Sequence, residues 1–160
     1  MAKSIPLTQG KFALVDDEDF EYLNQYKWQI SNNGYAVRQS RINGGNPKTI
    51  LMHREIISPD TYLYVDHVNM DKLDNRRKNL RVCSNSQNQR NRKKQPNNSG
   101  YKGVFFYKEK KKWRASIWVD GKPLYLGLFE SPELAANAYD EEAKKYFGEF
   151  ARINFPVEAK

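Results

Sequence analysis

Two β-prone runs, residues 113–119 and 123–129, meet at Asp120-Gly121, and that dipeptide is a strong signal for a tight antiparallel hairpin. A third run, 103–107, precedes them across a lysine-rich turn at 109–112. Ser131-Pro132-Glu133 then marks a helix start, with an N-cap hydroxyl, proline at the first position and an acid in the first turn. Ala135, Ala138, Tyr139, Glu142, Ala143 and Tyr146 follow at helical spacing, and Gly148 is the stop. Three antiparallel strands and one helix with an alanine-rich face make a small two-layer module. The small side chains let that helix lie close to its sheet.

Upstream the pattern changes. Residues 95–100 have linker composition, with Pro, Gly and small polar residues together, and place a domain boundary between 1–95 and 96–160. Residues 5–15 read as a hairpin turning at Gly10, and the acids at 16–19 precede Phe20, Leu23 and Tyr26 at helical spacing. Residues 28–30 and 35–37 flank a turn at 31–34, and a second turn at 43–47 leads into 49–52. A short helix is expected over 52–57, stopped by Ser58-Pro59. Then come a β-prone run at 62–67, a polar connection at 68–79 and a short strand at 80–84. Ser84, Asn85 and Ser86 are N-cap candidates for a helix over 87–94 with hardly an apolar residue. Such a helix turns towards a polar partner or packs poorly. The fold class is α+β, and no internal repeat relates the two parts.

The chain has 160 residues, 39% hydrophobic and 13% aromatic, which is material for a folded core. It lacks an apolar run of about 18 residues and opens without a basic-then-apolar leader. Secretion and membrane spanning are therefore not expected, and a cytoplasmic location is. The one cysteine, Cys83, excludes an internal disulfide, and with His53 and His67 it cannot build a cysteine-rich zinc site. The net charge of +8 is unevenly spread. Residues 1–60 balance seven Lys/Arg against seven Asp/Glu, whereas 61–102 carry ten against three. Residues 103–129 carry six against two, and 130–160 carry four against seven. Concentrated positive charge beside neutral stretches is the footprint of a polyanion-binding surface; the plain alternative is a solvated basic face.

One constellation carries chemistry. Asp66 and His67 are adjacent, and Asn88 falls on the helix that follows. Oxygen donors from Asp66 and Asn88 suit a hard divalent ion, and an imidazole near its own pKa takes a proton from water at neutral pH. Strict strand alternation would put Asp66 and His67 on opposite faces, so both serve one site only where the strand ends and bends. His53, beside apolar residues on the short helix, is expected to be a hydrogen-bonded packing residue, and Cys83 a buried thiol.

Val65-Asp66-His67-Val68-Asn69, the run from Leu73 to Arg81, Ser84 to Asn88, and Asn91-Arg92-Lys93 together resemble the HNH homing endonucleases. The resemblance implies a ββα-metal fold over about 60–95, in which one divalent ion, Mg²⁺ or alternatively Mn²⁺, lies between a hairpin and a helix. It makes His67 the general base, Asp66 and Asn88 the metal ligands, and Asn79 the residue that braces the loop and the histidine. The third motif position is Asn here, as is common among homing members, and the structural zinc of some relatives is not expected. Given that motif, Arg76, Arg77, Arg81, Arg90 and Arg92 are expected to contact phosphates. Proteins of this kind are typically encoded by phages or mobile elements.

The second part has its own resemblance. Tyr101-Lys102-Gly103-Val104, Trp113-Arg114-Ala115-Ser116-Ile117, Leu126-Gly127-Leu128-Phe129, Ala138-Tyr139-Asp140 and Asn154-Phe155-Pro156 are similar to the DNA-binding domain of plant ethylene-response factors, the Apetala-two fold. That family reads DNA from its sheet with Arg and Trp. The matching positions here hold Lys102, Phe105, Tyr107, Lys112, Ser116, Trp118 and Tyr125, with Arg114 among them. Aromatic rings cannot read guanine as Arg does, so looser specificity is expected.

Together these readings give a metal-dependent, site-specific endonuclease acting on double-stranded DNA as a monomer, with no membrane or protein partner evident. The alternatives are a DNA-binding regulator whose nuclease half is inactive and, more weakly, an RNA-binding module.

Overall fold

The computed structural model describes residues 1–40, 45–91 and 97–156. The chain divides into two compact units, 1–88 and 89–160, and the architecture is α+β.

In the first unit β1 (Ala2–Pro6) and β2 (Phe12–Asp16) form the expected hairpin, joined by a 3₁₀ turn at Thr8–Gly10. Alternate residues of β2, Ala13 and Val15, are fully buried, as period-2 geometry requires. α1 (Asp17–Leu23) starts with three acids in its first turn and ends before Tyr26, one turn short of the apolar spacing. β3 (Gln29–Ile30), β4 (Ala36–Ser40) and β5 (Lys48–Leu51) make a three-stranded antiparallel sheet in that order. α2 (Met52–Ile57) follows directly and ends at Ser58, which takes a left-handed φ of 46° before Pro59. β6 (Tyr64–His67) and β7 (Leu80–Cys83) pair antiparallel. One apolar core joins these elements apart from β5, from Ile5, Ala13 and Val15 through Leu23, Trp28, Ala36, Met52 and Ile56 to Val65 and Leu80.

α3 (Asn85–Arg90) begins two residues earlier than the polar pattern suggests. The reason is Ser84: its Oγ accepts from Gln87 N (3.3 Å) while Gln87 Oε1 accepts from Ser84 N (2.8 Å). This reciprocal capping box fixes the helix start. Asn91, expected to continue the helix, is a turn residue; positions 92–94 of the expected helix and residues 95 and 96 of the linker lie outside the described residues.

In the second unit β8 (Val104–Tyr107), β9 (Lys112–Val119) and β10 (Lys122–Phe129) form an antiparallel sheet with β9 central. Asp120 and Gly121 both take positive φ, 50° and 77°, the tight turn that Asp-Gly favours. α4 (Pro132–Phe147) is capped by Ser131 Oγ, which accepts from Leu134 N at 3.2 Å. Ala135, Ala136 and Ala143 are fully buried. The approach is close enough that a Cβ on Gly103, at φ +77°, would collide with the Tyr139 ring and lie 2.8 Å from the Ser116 carbonyl oxygen. Buried Asp140 accepts the backbone N–H groups of Asn154 (2.7 Å) and Phe155 (2.8 Å), tying the segment after α4 back onto it.

Candidate active site and nucleic-acid interface

The β6–β7 register sets Asp66 opposite Arg81 and His67 opposite Leu80. Asp66 and His67 are both buried, and His67 is the last residue of its strand, where the chain turns into the 68–79 connection. The Arg81 guanidinium donates to Asp66 Oδ2 from Nε (3.1 Å) and Nη2 (2.8 Å).

That connection is a polar scaffold folded on itself. Met70 N donates to His67 O and Val68 N to Asn79 O, each at 2.9 Å. Asn79 Oδ1 accepts from Asn69 N (2.9 Å), and its Nδ2 donates to Asp74 O (2.7 Å). The Asn79 side chain thus bridges both ends of the loop. Asp74, 2% exposed, takes Arg76 through two bonds of 2.7 and 2.6 Å, and that hydrogen bonding holds its carboxyl below the usual range despite burial. The outer hold comes from the N-terminal hairpin: Leu14 N donates to Leu73 O (2.8 Å) and Asn75 N to Leu14 O (2.7 Å).

Asn75, fully buried, was not anticipated, and its Oδ1 lies 3.4 Å from His67 Nε2. An amide oxygen only accepts, so this contact favours the tautomer with the hydrogen on Nε2. Burial pushes the His67 pKa below its ordinary 6.5, while Asn75 and the nearby carboxylates Asp66, Asp71 and Asp74 pull it upward. At neutral pH this imidazole is therefore uncharged and able to take a proton.

His53 departs from expectation. It is buried as predicted, yet Nδ1 has no hydrogen-bond partner, which no other buried side-chain N or O among the described residues shares. Its ring stands edge-to-face on His67, centroids 5.0 Å apart and planes at 82°, and Tyr35 packs on both rings, at 5.2 and 5.9 Å. Burial, then the neighbouring His67 and Arg54, lower the His53 pKa from 6.5 to about 3. Its apolar neighbours in the sequence signalled burial but not the residue it would face. Nothing in the sequence singled out Asn75 among the several asparagines of the loop.

Two oxygen donors in the right chemical class are present for a divalent cation: the Asp66 carboxylate and the half-buried amide of Asn88, on the capped first turn of α3. Hard ions such as Mg²⁺ take one or two carboxylates plus amide oxygens and waters, so the residues fit, with Arg81 sharing the carboxylate. Among the described residues, no three His, Cys, Asp or Glu side chains gather into a cage.

Three of the arginines expected to contact phosphates sit in ion pairs. Arg76 is on Asp74, Arg77 on Asp19 (2.6 Å) and Glu18 (2.8 Å), and Arg81 on Asp66. In the second unit Arg90 stacks on Phe147 (4.5 Å), and its carbonyl accepts from Lys102 Nζ (2.6 Å); burial lowers the Lys102 pKa to about 8. Arg92 lies outside the described residues.

Cross-strand register puts Phe105 opposite Arg114, Tyr107 opposite Lys112, Tyr125 opposite Ser116, and Pro123 opposite Trp118, all on the sheet face away from buried Ala115 and Ile117. Trp118, Phe105 and Tyr125 are 66%, 54% and 54% exposed, with the Arg114 guanidinium 5.4 Å from the Tyr125 ring. The seven sheet positions named from the sequence therefore share one surface.

Residues 58–90 match the HNH endonuclease family. An uncharacterized HNH endonuclease of Acanthamoeba polyphaga mimivirus is 28% identical over 152 residues, which is 91% of this chain and 76% of that protein. The C-terminal part is similar to plant factors. AP2-like ethylene-responsive transcription factor TOE2 of Arabidopsis thaliana is 46% identical over 59 residues, and APETALA2-like protein 2 of Oryza sativa subsp. indica is 47% identical over 57. These cover 37% and 36% of this chain but only 12% and 13% of the plant proteins. Both resemblances read from the sequence are borne out, and they support a nuclease with DNA binding. No helix among the described residues is long and apolar enough to cross a membrane.

Proposed function

We propose that this chain is a divalent-metal-dependent DNA endonuclease of the homing type, with residues 1–95 cutting and 96–160 anchoring on neighbouring duplex. The observation that carries the reading is the buried His67, whose Nε2 lies 3.4 Å from Asn75 Oδ1, inside the segment that matches the HNH endonucleases.

His67 Nδ1 takes a proton from the attacking water as its oxygen bonds to phosphorus and the P–O3′ bond breaks. Asn79 and Asn75 hold the loop and the ring, so this geometry exists before substrate arrives. Asp66 and Asn88 would hold the cation, Mg²⁺ or Mn²⁺, which offsets negative charge developing on the phosphate and leaving oxygen. Phe105, Tyr107, Lys112, Arg114, Ser116, Trp118 and Tyr125 form the DNA-contacting face, with Lys102 and Arg90 tied to one another in the same unit. Arg76, Arg77 and Arg81 reach phosphates only by sharing or leaving their carboxylates. Two weak DNA contacts on one chain add through effective concentration.

A DNA-binding regulator with an inactive nuclease half draws on one observation, the Arg81 guanidinium on Asp66. Supercoiled-plasmid cleavage with Mg²⁺, with and without EDTA, and with His67→Ala, separates the two. Nicking or linearisation that needs the metal and vanishes in the variant is the expected result. Duplex retention without any cut, on plasmid and on host genomic DNA, would leave the regulator.

A further inference from the structure

Histidine 53 lies outside every motif that the sequence offers, yet it touches the base of the proposed reaction. A buried nitrogen without a partner is rare in folded proteins and destabilises them. Phe or Leu at the same place would fill the pocket between Tyr35 and His67 without that cost, so packing alone does not account for an imidazole there. What an imidazole adds is a dipole. Because Nδ1 has no hydrogen-bond partner, the ring's field is not quenched there and acts in low-dielectric surroundings on the nearest polar ring. That ring is His67, 5.0 Å away.

The two sides of His67 are then held by different means. Asn75 meets Nε2, while the ring of His53 stands at 82° to its plane and Tyr35 closes over both histidines. An edge-to-face contact at this distance favours one ring orientation over its flip, and a fixed dipole beside the ring favours one tautomer over the other. Both preferences act on the atom that takes the proton.

Resting on the endonuclease reading, we propose that His53 is a positioning residue, whose imidazole fixes the rotamer and tautomer of His67 through edge-to-face contact and an uncompensated ring nitrogen. The burial that keeps His53 uncharged serves the same end, since an imidazolium at this distance would repel a proton arriving on His67.

The test compares His53→Phe, which keeps an aromatic ring and removes the orphan nitrogen, with His53→Asn, which keeps a polar group near the Nδ1 position. In the full chain, His53→Phe is expected to melt at the same temperature or higher and to retain duplex DNA as the parent does. Its kcat should fall at least tenfold with KM unchanged, and His53→Asn should lie between the two. In DNA-free protein, nitrogen–proton correlation spectra of the His67 ring should show a shifted tautomer balance in His53→Phe. A His53→Phe variant that keeps kcat within twofold and leaves the His67 spectrum unchanged would overturn the proposal, as would kcat falling only in step with melting temperature. If the parent chain cleaves nothing, the endonuclease reading falls, and the spectra alone decide whether His53 sets the state of His67.

Discussion

The hairpin of the first unit buries Asp66, His67, Asp74, Asn75 and Asn79, whereas the sheet of the second leaves Phe105, Trp118 and Tyr125 exposed. Each region inverts the usual partition of polar and apolar groups, and the inversions differ in kind. Buried polar groups must be satisfied inside the protein, so the 68–79 connection hydrogen-bonds its side chains within itself and its backbone to Leu14. Exposed rings have no such obligation. Their unmet area is against solvent, which suits a surface completed by a partner. The difference separates a site organised in advance from a surface that fits when something arrives.

The sharpest way to break this comparison is His67→Ala. Loss of a general base lowers the rate by about 10²- to 10⁴-fold, while duplex retention in a gel shift should be unchanged; a variant losing both equally would make the two regions one functional site. Next in size is Gly103→Ala. The forced left-handed backbone and the clash with Tyr139 should destabilise the second unit by about 3 kcal/mol, read by denaturant unfolding, with DNA retention lost before any change at His67.

Acid should distinguish the two regions as well. The His53 pKa falls from 6.5 unfolded to about 3 folded, so between those values the unfolded chain binds more protons. The contribution of His53 is full above about pH 6.5 and is lost as pH falls towards 3, at up to about 1.4 kcal/mol per pH unit. Melting curves of His53→Phe should show a shallower acid slope than the parent. Because burial lowers the His67 pKa too, cleavage should persist to a lower pH than an ordinary histidine base allows. The smallest effect expected is that of Trp118→Ala: about tenfold weaker duplex binding, the loss of one aromatic anchor from an interface, with stability within about 0.5 kcal/mol of the parent.

How far the sequence foretold this is itself uneven. Elements with their own punctuation were legible: the Asp120-Gly121 turn, the Ser131-Pro132 helix start, and the helix stopped at Ser58-Pro59 all stand where expected. In the second unit the positions named from the family resemblance, Arg114, Ser116 and Trp118 among them, fall at alternate residues of β9. The first unit hid more, because its contacts cross long chain separations. His53 meets His67 from another element, Arg77 reaches back to Asp19, and Asn75 is chosen from a loop of similar side chains by the position of one backbone carbonyl. Residue type could suggest charge for Arg76, Arg77 and Arg81, but not that each is held by a carboxylate.

The two backbone hydrogen bonds through which Leu14 grips Leu73 and Asn75 bear on inheritance. The segment that matches the endonuclease family, 58–90, does not contain Leu14, nor Asp16 and Asp19, which receive Arg77. A recombination event that transplanted only the recognisable segment would carry His67 and Asn79 without the strand that holds their loop.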